Sequence, residues 1–79
     1  MLVEYNPDFI KKISKIKNKA EKERVKKQIE KIVQNPSIGK PMRYGRQGTR
    51  EVYIDSYRLA YSYTKNKIIL LDLYHKDEQ

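Results

Sequence analysis

The stretch Arg50-Glu51-Val52-Tyr53-Ile54-Asp55-Ser56-Tyr57-Arg58-Leu59-Ala60-Tyr61-Ser62-Tyr63 decides the fold. Both halves are rich in β-branched and aromatic residues, the composition of strands. Asp55-Ser56 between them reads as a two-residue turn, so the halves are antiparallel neighbours. In the second half, Tyr57, Leu59, Tyr61 and Tyr63 point to one face and Arg58, Ala60 and Ser62 to the other. The first set suits a core. The second is short or charged and suits a solvent-facing floor into which Arg58 projects.

Toward the C-terminus, Lys65-Asn66 is the next turn and Lys67 to Tyr74 the next strand. Its run Ile68-Ile69-Leu70-Leu71 fits a central strand covered on both faces. Toward the N-terminus, Gly45 to Gly48 is a basic turn and Met42 to Tyr44 a short strand. Asn35-Pro36-Ser37-Ile38-Gly39-Lys40-Pro41 holds two prolines and a glycine, and is a loop. Before it the pattern is helical. Asn6-Pro7-Asp8 supplies a cap and a proline for the first helical position. Phe9, Ile10, Ile13 and Ile16 recur at helical spacing, and Ala20, Val25, Ile29, Ile32 and Val33 continue the stripe. Asn18 is the expected break between two helices. Residues 2–5 read as a short strand. The expected architecture is a single α+β domain over residues 1–79. Two N-terminal helices pack on one face of a small, mainly antiparallel sheet and leave the other face open.

A chain of 79 residues buries only about 60% of its unfolded surface, so the core is thin. There is no cysteine, and His75 is the single histidine. Disulfides, thiolate chemistry and a conventional structural metal site are therefore not expected. No run reaches the ~18 apolar residues of a membrane span, and no long apolar stretch marks a secretory signal. A cytoplasmic location without membrane attachment follows as the expectation.

Eighteen Lys+Arg against ten Asp+Glu give a net charge of +8. Such a balance speaks to partners and association rate, not fold. A solubilising lysine-rich surface would give the same total, so placement matters more than the sum. The helix lysines, Lys11 and Lys27 among them, are mostly solvated-face residues. The informative group is Lys40, Arg43, Arg46 and Arg50, with Tyr44 and Tyr53 interleaved, together with Arg58, His75 and Lys76. Basic side chains neutralise phosphates, and aromatic ones stack on unpaired bases. The pattern points to a polyanion, RNA first. No paired carboxylates, metal-ligand spacing, phosphate-cradling glycine loop or serine triad accompanies it, and no cofactor is expected.

The segment Gly48-Thr49-Arg50-Glu51-Val52-Tyr53-Ile54-Asp55-Ser56-Tyr57-Arg58-Leu59-Ala60-Tyr61 resembles the core of the RelE/ParE toxin superfamily. There, an arginine-led strand runs through a small polar turn into a Tyr-Arg element. Lys67 to Lys76 resembles the superfamily's last strand, which ends in a histidine and a basic residue. The loop Asn35 to Pro41 and the two helices fit as well, so the resemblance spans nearly the whole chain. It implies a RelE-like fold and the toxin of a type II toxin–antitoxin pair, with a cognate antitoxin as partner. RelE-like members cleave messenger RNA on the ribosome. ParE-like members poison DNA gyrase without nuclease activity. A basic RNA-binding module with degenerate activity is a further alternative.

By the same resemblance, Arg58 is the phosphate-stabilising arginine, its planar guanidinium suiting two phosphate oxygens. His75 is the candidate acid or base, and Lys76 and Arg50 add positive potential. Lys40, Arg43 and Arg46 would bind the RNA backbone. Cleavage would need neither metal nor cofactor. Two departures stand out. Tyr53 occupies a position where many members carry a second arginine, and the chain closes on Asp77-Glu78-Gln79 without the tyrosine that many nucleases of the family place there. Tyr74 is either that tyrosine's substitute or a core residue.

Overall fold

The computed structural model describes residues 1–42 and 48–78. In chain order it contains β1 (Leu2–Tyr5), α1 (Pro7–Ser14), α2 (Lys19–Gln34), β2 (Lys40–Pro41), β3 (Thr49–Ile54), β4 (Tyr57–Thr64) and β5 (Lys67–His75), then a 3₁₀ turn over Lys76–Glu78. The five strands form one sheet in the order β1-β5-β4-β3-β2. The pairs are antiparallel except β1 with β5, which is parallel. This is the expected α+β arrangement.

Each helix starts where an asparagine caps it. Asn6 Oδ1 accepts the Asp8 N–H at 2.9 Å, with Pro7 at the first helical position. Asn18 Oδ1 accepts from Ala20 and Glu21 at 2.8 and 3.1 Å. These bonds satisfy amides that have no partner inside the helix. Phe9, Ile16, Val25 and Ile32 reach the core, where they meet Val52, Ile54, Leu59, Tyr61, Ile68, Leu70 and Leu73. Three expected core residues stay outside. Ile10 and Val33 are 51% and 38% exposed, and Ala20 is exposed. The inward rows step by three or four residues, Phe9-Ile13-Ile16 and Val25-Ile29-Ile32, so the apolar neighbours Ile10 and Val33 fall beside the stripe.

Both turns fall where expected. Asp55 has φ 53°, and Lys65 and Asn66 have φ 49° and 62°, the left-handed values that two-residue hairpins use. Tyr57, Leu59, Tyr61 and Tyr63 all face the helices, with Leu59 and Tyr61 fully buried. In β5, Ile68, Leu70 and Leu73 are buried, whereas Ile69 and Leu71 are only half-buried. This interior strand is thus covered on one face, not two. A short strand forms at Lys40–Pro41, followed by a bond from the Met42 N–H to Thr49 O at 3.0 Å; of the strand expected at 42–44, only Met42 is among the described residues. Tyr44, Arg43, Arg46 and most of the expected basic turn lie outside the described residues.

The β4–β5 ladder is interrupted. Tyr61 pairs with Leu70, but Ala60 pairs with Asp72, so one extra residue bulges from β5. A one-residue slip moves every later side chain to the opposite face. Beyond the bulge Arg58 pairs with Tyr74 and Tyr57 with His75. An unbroken ladder would instead have set Leu73 opposite Arg58.

Candidate nucleic-acid interface

The face of the sheet away from the helices holds a cross-strand row of Tyr53, Arg58 and Tyr74, from β3, β4 and β5. The Arg58 guanidinium carbon stands 3.8 Å from the Tyr53 ring centroid, a cation–π contact. Tyr53 is 56% exposed. Two residue pairs along, on the same face, Lys40, Glu51 and Ala60 form the next row. The Tyr74 hydroxyl donates to a carboxylate oxygen of Glu51. Glu51 is on β3 and Tyr74 on β5, so the bond crosses the intervening strand beside Ala60, which is only 6% exposed. Arg58 is thereby flanked by two tyrosines, one stacked against it and one anchored by a carboxylate. A guanidinium held this way can meet a phosphate without losing side-chain freedom at the moment of binding.

The structure brings Lys40 to the same face as Arg58 but not His75 or Arg50. The bulge turns His75 to the helix side. There its ring meets Tyr57 edge-on at 5.6 Å, and its Nδ1 accepts the Asp77 N–H at 3.3 Å and lies 3.4 Å from the Asp77 carboxylate. Arg50 pairs with Tyr61 and shares its core-side face. Its Nη1 donates to the carbonyls of Ser37 and Gly39 at 3.2 and 2.7 Å. Arg50 therefore pins the 35–41 loop, and its expected place beside Arg58 is corrected. Lys76 is exposed in the 3₁₀ turn. Its backbone N–H donates to Ser56 O at 2.7 Å, tying this end of the chain to the β3–β4 turn. Sequence reasoning missed Glu51 and the pairing of Tyr53 with Arg58. The two-residue turn at 55–56 already required position 53 to face position 58. Tyr74 was left between two roles; the bulge that places it opposite Arg58, and not in the core, carries no comparable signal.

Arg50 belongs to a half-buried polar knot. The Tyr61 hydroxyl accepts the Gly39 N–H at 2.9 Å and donates to Pro36 O at 2.6 Å. Burial pushes the Tyr61 pKa up; the Gly39 N–H and the Arg50 charge pull it back by less. A side chain at Gly39 would place its Cβ 2.5 Å from the Tyr61 hydroxyl and 2.9 Å from Arg50 Cβ. Only glycine lets the loop lie this close.

A separate apolar recess of about 700 Å³ opens between α1 and α2, lined by Tyr5, Phe9, Ile10, Ile13 and Ile29 together with Lys22, Glu23, Lys26 and Glu30. Among the described residues, no group of three or more His, Asp or Glu side chains could hold a metal ion. No described helix is long and apolar enough to cross a membrane.

The model of the ParE toxin of type II toxin–antitoxin systems (parDE) matches residues 3–79. Among solved structures, a chain of the intact E. coli RelBE toxin–antitoxin complex superposes with a TM-score of 0.80 at 17% identity, over 94% of each chain. A chain of the RelB–RelE antitoxin–toxin complex from Methanococcus jannaschii gives 0.76 at 15% identity, over 95% of this chain and 92% of that one. The YoeB dimer from Staphylococcus aureus gives 0.73 at 20% identity, over 95% and 97%. At these identities the likeness is one of fold. No curated protein matches by sequence.

Proposed function

We propose that this chain, which belongs to the ParE toxin family of type II toxin–antitoxin systems, arrests translation by cutting messenger RNA on the ribosome. The observation that carries this reading is Arg58 set between Tyr53 and Tyr74 on the uncovered sheet face. Arg58 takes the phosphate at the cut and stabilises the charge that builds on it. The tyrosines offer ring faces and a hydroxyl to the flanking nucleotide. Lys40 and Lys76 add positive potential. Arg43 and Arg46, outside the described residues, belong to the same RNA contact. His75 and Arg50 serve as supports for the strand end and the loop. Ordering of the RNA by the ribosome supplies much of the rate, since alignment alone is worth about 7–11 kcal/mol.

The partner is a cognate antitoxin. Complexes with antitoxins are what the structures from E. coli and M. jannaschii contain. In this chain the apolar recess between α1 and α2, lined also by Lys22, Lys26, Glu23 and Glu30, fits the apolar face of an amphipathic segment. The working compartment is the cytoplasm, where ribosomes are.

Primer extension on a translated reporter mRNA tests the reading. Induction of the wild-type chain gives cuts inside the reading frame, and Arg58→Ala lowers them by about 10²–10³-fold, the usual loss of one preorganised donor. Cuts that survive Arg58→Ala at full strength would remove Arg58 from the site. The ParE match favours a second reading, a toxin acting on DNA gyrase. Growth arrest with intact mRNA and altered DNA supercoiling would establish that one instead.

A further inference from the structure

We propose that the recess at the outer edge of β3 is a guanine-binding subsite, one that selects the RNA base next to the phosphate on Arg58. The inference rests on the RNA reading above. β2 pairs only with Arg50 and Glu51, so among the described residues no strand pairs with the edge of β3 from Val52 onward. A recess of about 310 Å³ opens there, lined by Gln28, Ile38, Lys40, Glu51, Val52 and Tyr53. That volume lies at the lower end of small-ligand sites, which run from about 300 Å³, and is suited to one planar base rather than a larger molecule.

The lining has the parts that base recognition needs. Tyr53 offers a largely exposed ring and is shared with Arg58, so a base stacked on it lies beside a phosphate held by the guanidinium. Ile38, 41% exposed, supplies an apolar wall. Glu51 is an acceptor held in place by the Tyr74 hydroxyl, which occupies only part of its lone-pair capacity. Lys40 sits opposite Glu51 in register. Among the described residues its ammonium forms no ion pair and the Gln28 amide makes no hydrogen bond, so both are available.

This set matches one base best. Guanine presents two adjacent donors, N1–H and the N2 amino group, which a carboxylate accepts together. It also presents the O6 and N7 acceptors, to which a lysine donates. Adenine and cytosine each put one amino group beside a ring nitrogen acceptor, which would face a carboxylate oxygen without a proton between them. Uracil lacks the amino group. Lys40 and Arg58 on the same face offset the Glu51 charge that would otherwise repel the backbone.

The test is fluorescence anisotropy with the intact chain and four labelled RNA pentamers that differ only in a central G, A, C or U within a uridine background. The wild type is expected to bind the G pentamer about tenfold more tightly than each of the others, within the range of one bidentate base contact. Glu51→Gln and, separately, Lys40→Ala are each expected to cut that preference to threefold or less; Lys40→Ala, which also removes a charge from the backbone contact, weakens all four pentamers by a common factor besides. Arg58→Ala should weaken all four alike. Lys40 is exposed, so its variant keeps the test open should Glu51→Gln fail to fold. Equal binding of all four pentamers, adenine binding as tight as guanine, or a guanine preference that survives a folded variant would overturn the subsite alone. Failure of the wild type to bind any of the four would overturn the subsite together with the RNA reading.

Discussion

Tyr61 fills the core and ties down a loop at once, so its replacement separates two effects. Tyr61→Phe keeps the ring but leaves the Gly39 N–H and the Pro36 carbonyl without partners. A loss of about 1–3 kcal/mol is expected on chemical denaturation. The variant also alters the alkaline limb. The folded-state pKa of Tyr61 is raised, chiefly by burial, so the native protein holds that proton more tightly than the unfolded chain does. Its contribution is complete below the unfolded value of about 10 and is lost as pH rises through the folded value. Wild-type stability should therefore fall above about pH 10 more steeply than that of Tyr61→Phe. Gly39→Ala should be worse than either, because the added methyl meets Tyr61 and Arg50 together. At this scale the sequence was readable where parity alone decides. Tyr61 and Arg58 fell on opposite faces of β4 as alternation requires. Arg50 was misplaced because its charge was weighed ahead of its parity. Position 50 pairs with position 61, a core position, once the turn is two residues long.

Among the elements, the helices depend visibly on their asparagine caps. Asn18→Ala removes the acceptor of two amides and should cost about 0.5–2 kcal/mol in thermal or urea unfolding. The β4–β5 turn is the opposite case. Lys65 is held at φ 49°, a left-handed conformation that costs an ordinary side chain about 1–2 kcal/mol and asparagine less. Lys65→Asn should raise the melting temperature by a few degrees, given about 4–8 °C per kcal/mol for a domain this size. Ile10, 51% exposed in the recess between the helices, gives a test of docking without a test of folding. Ile10→Asp should leave the melting temperature nearly unchanged and weaken antitoxin binding at least tenfold by calorimetry, consistent with loss of one buried apolar anchor. Element existence and order were legible from caps, turns and periodicity. The β5 bulge was not, because Leu70, Leu71 and Asp72 carry no glycine or other local mark of an extra residue. That single insertion moved His75 away from Arg58 and brought Tyr74 to it, which is why the candidate site differs from its sequence reading at its C-terminal side.

For the molecule as a whole, the charge of +8 divides into a small functional share and a larger solvated one. Five basic side chains, Arg58, Lys40, Lys76, Arg43 and Arg46, serve the RNA in this reading. Five single-strand phosphate contacts give a slope of about −3.5 for log affinity against log salt concentration. A slope of about −7 would mean that the helix lysines take part as well. The strand order also bears on when the toxin becomes dangerous. The first strand, β1, lies in the sheet beside the last, β5, and Tyr74 arrives only with that last strand. A nascent chain that has not yet delivered residues 67–75 lacks the partner of β1, a central strand of the sheet and one wall of the Arg58 face. Pairings across so long a span form late. The ribosome making this protein is thus handling a harmless chain until residues 67–75 have been delivered, and the interval in which an antitoxin is needed opens only once β5 can join the sheet.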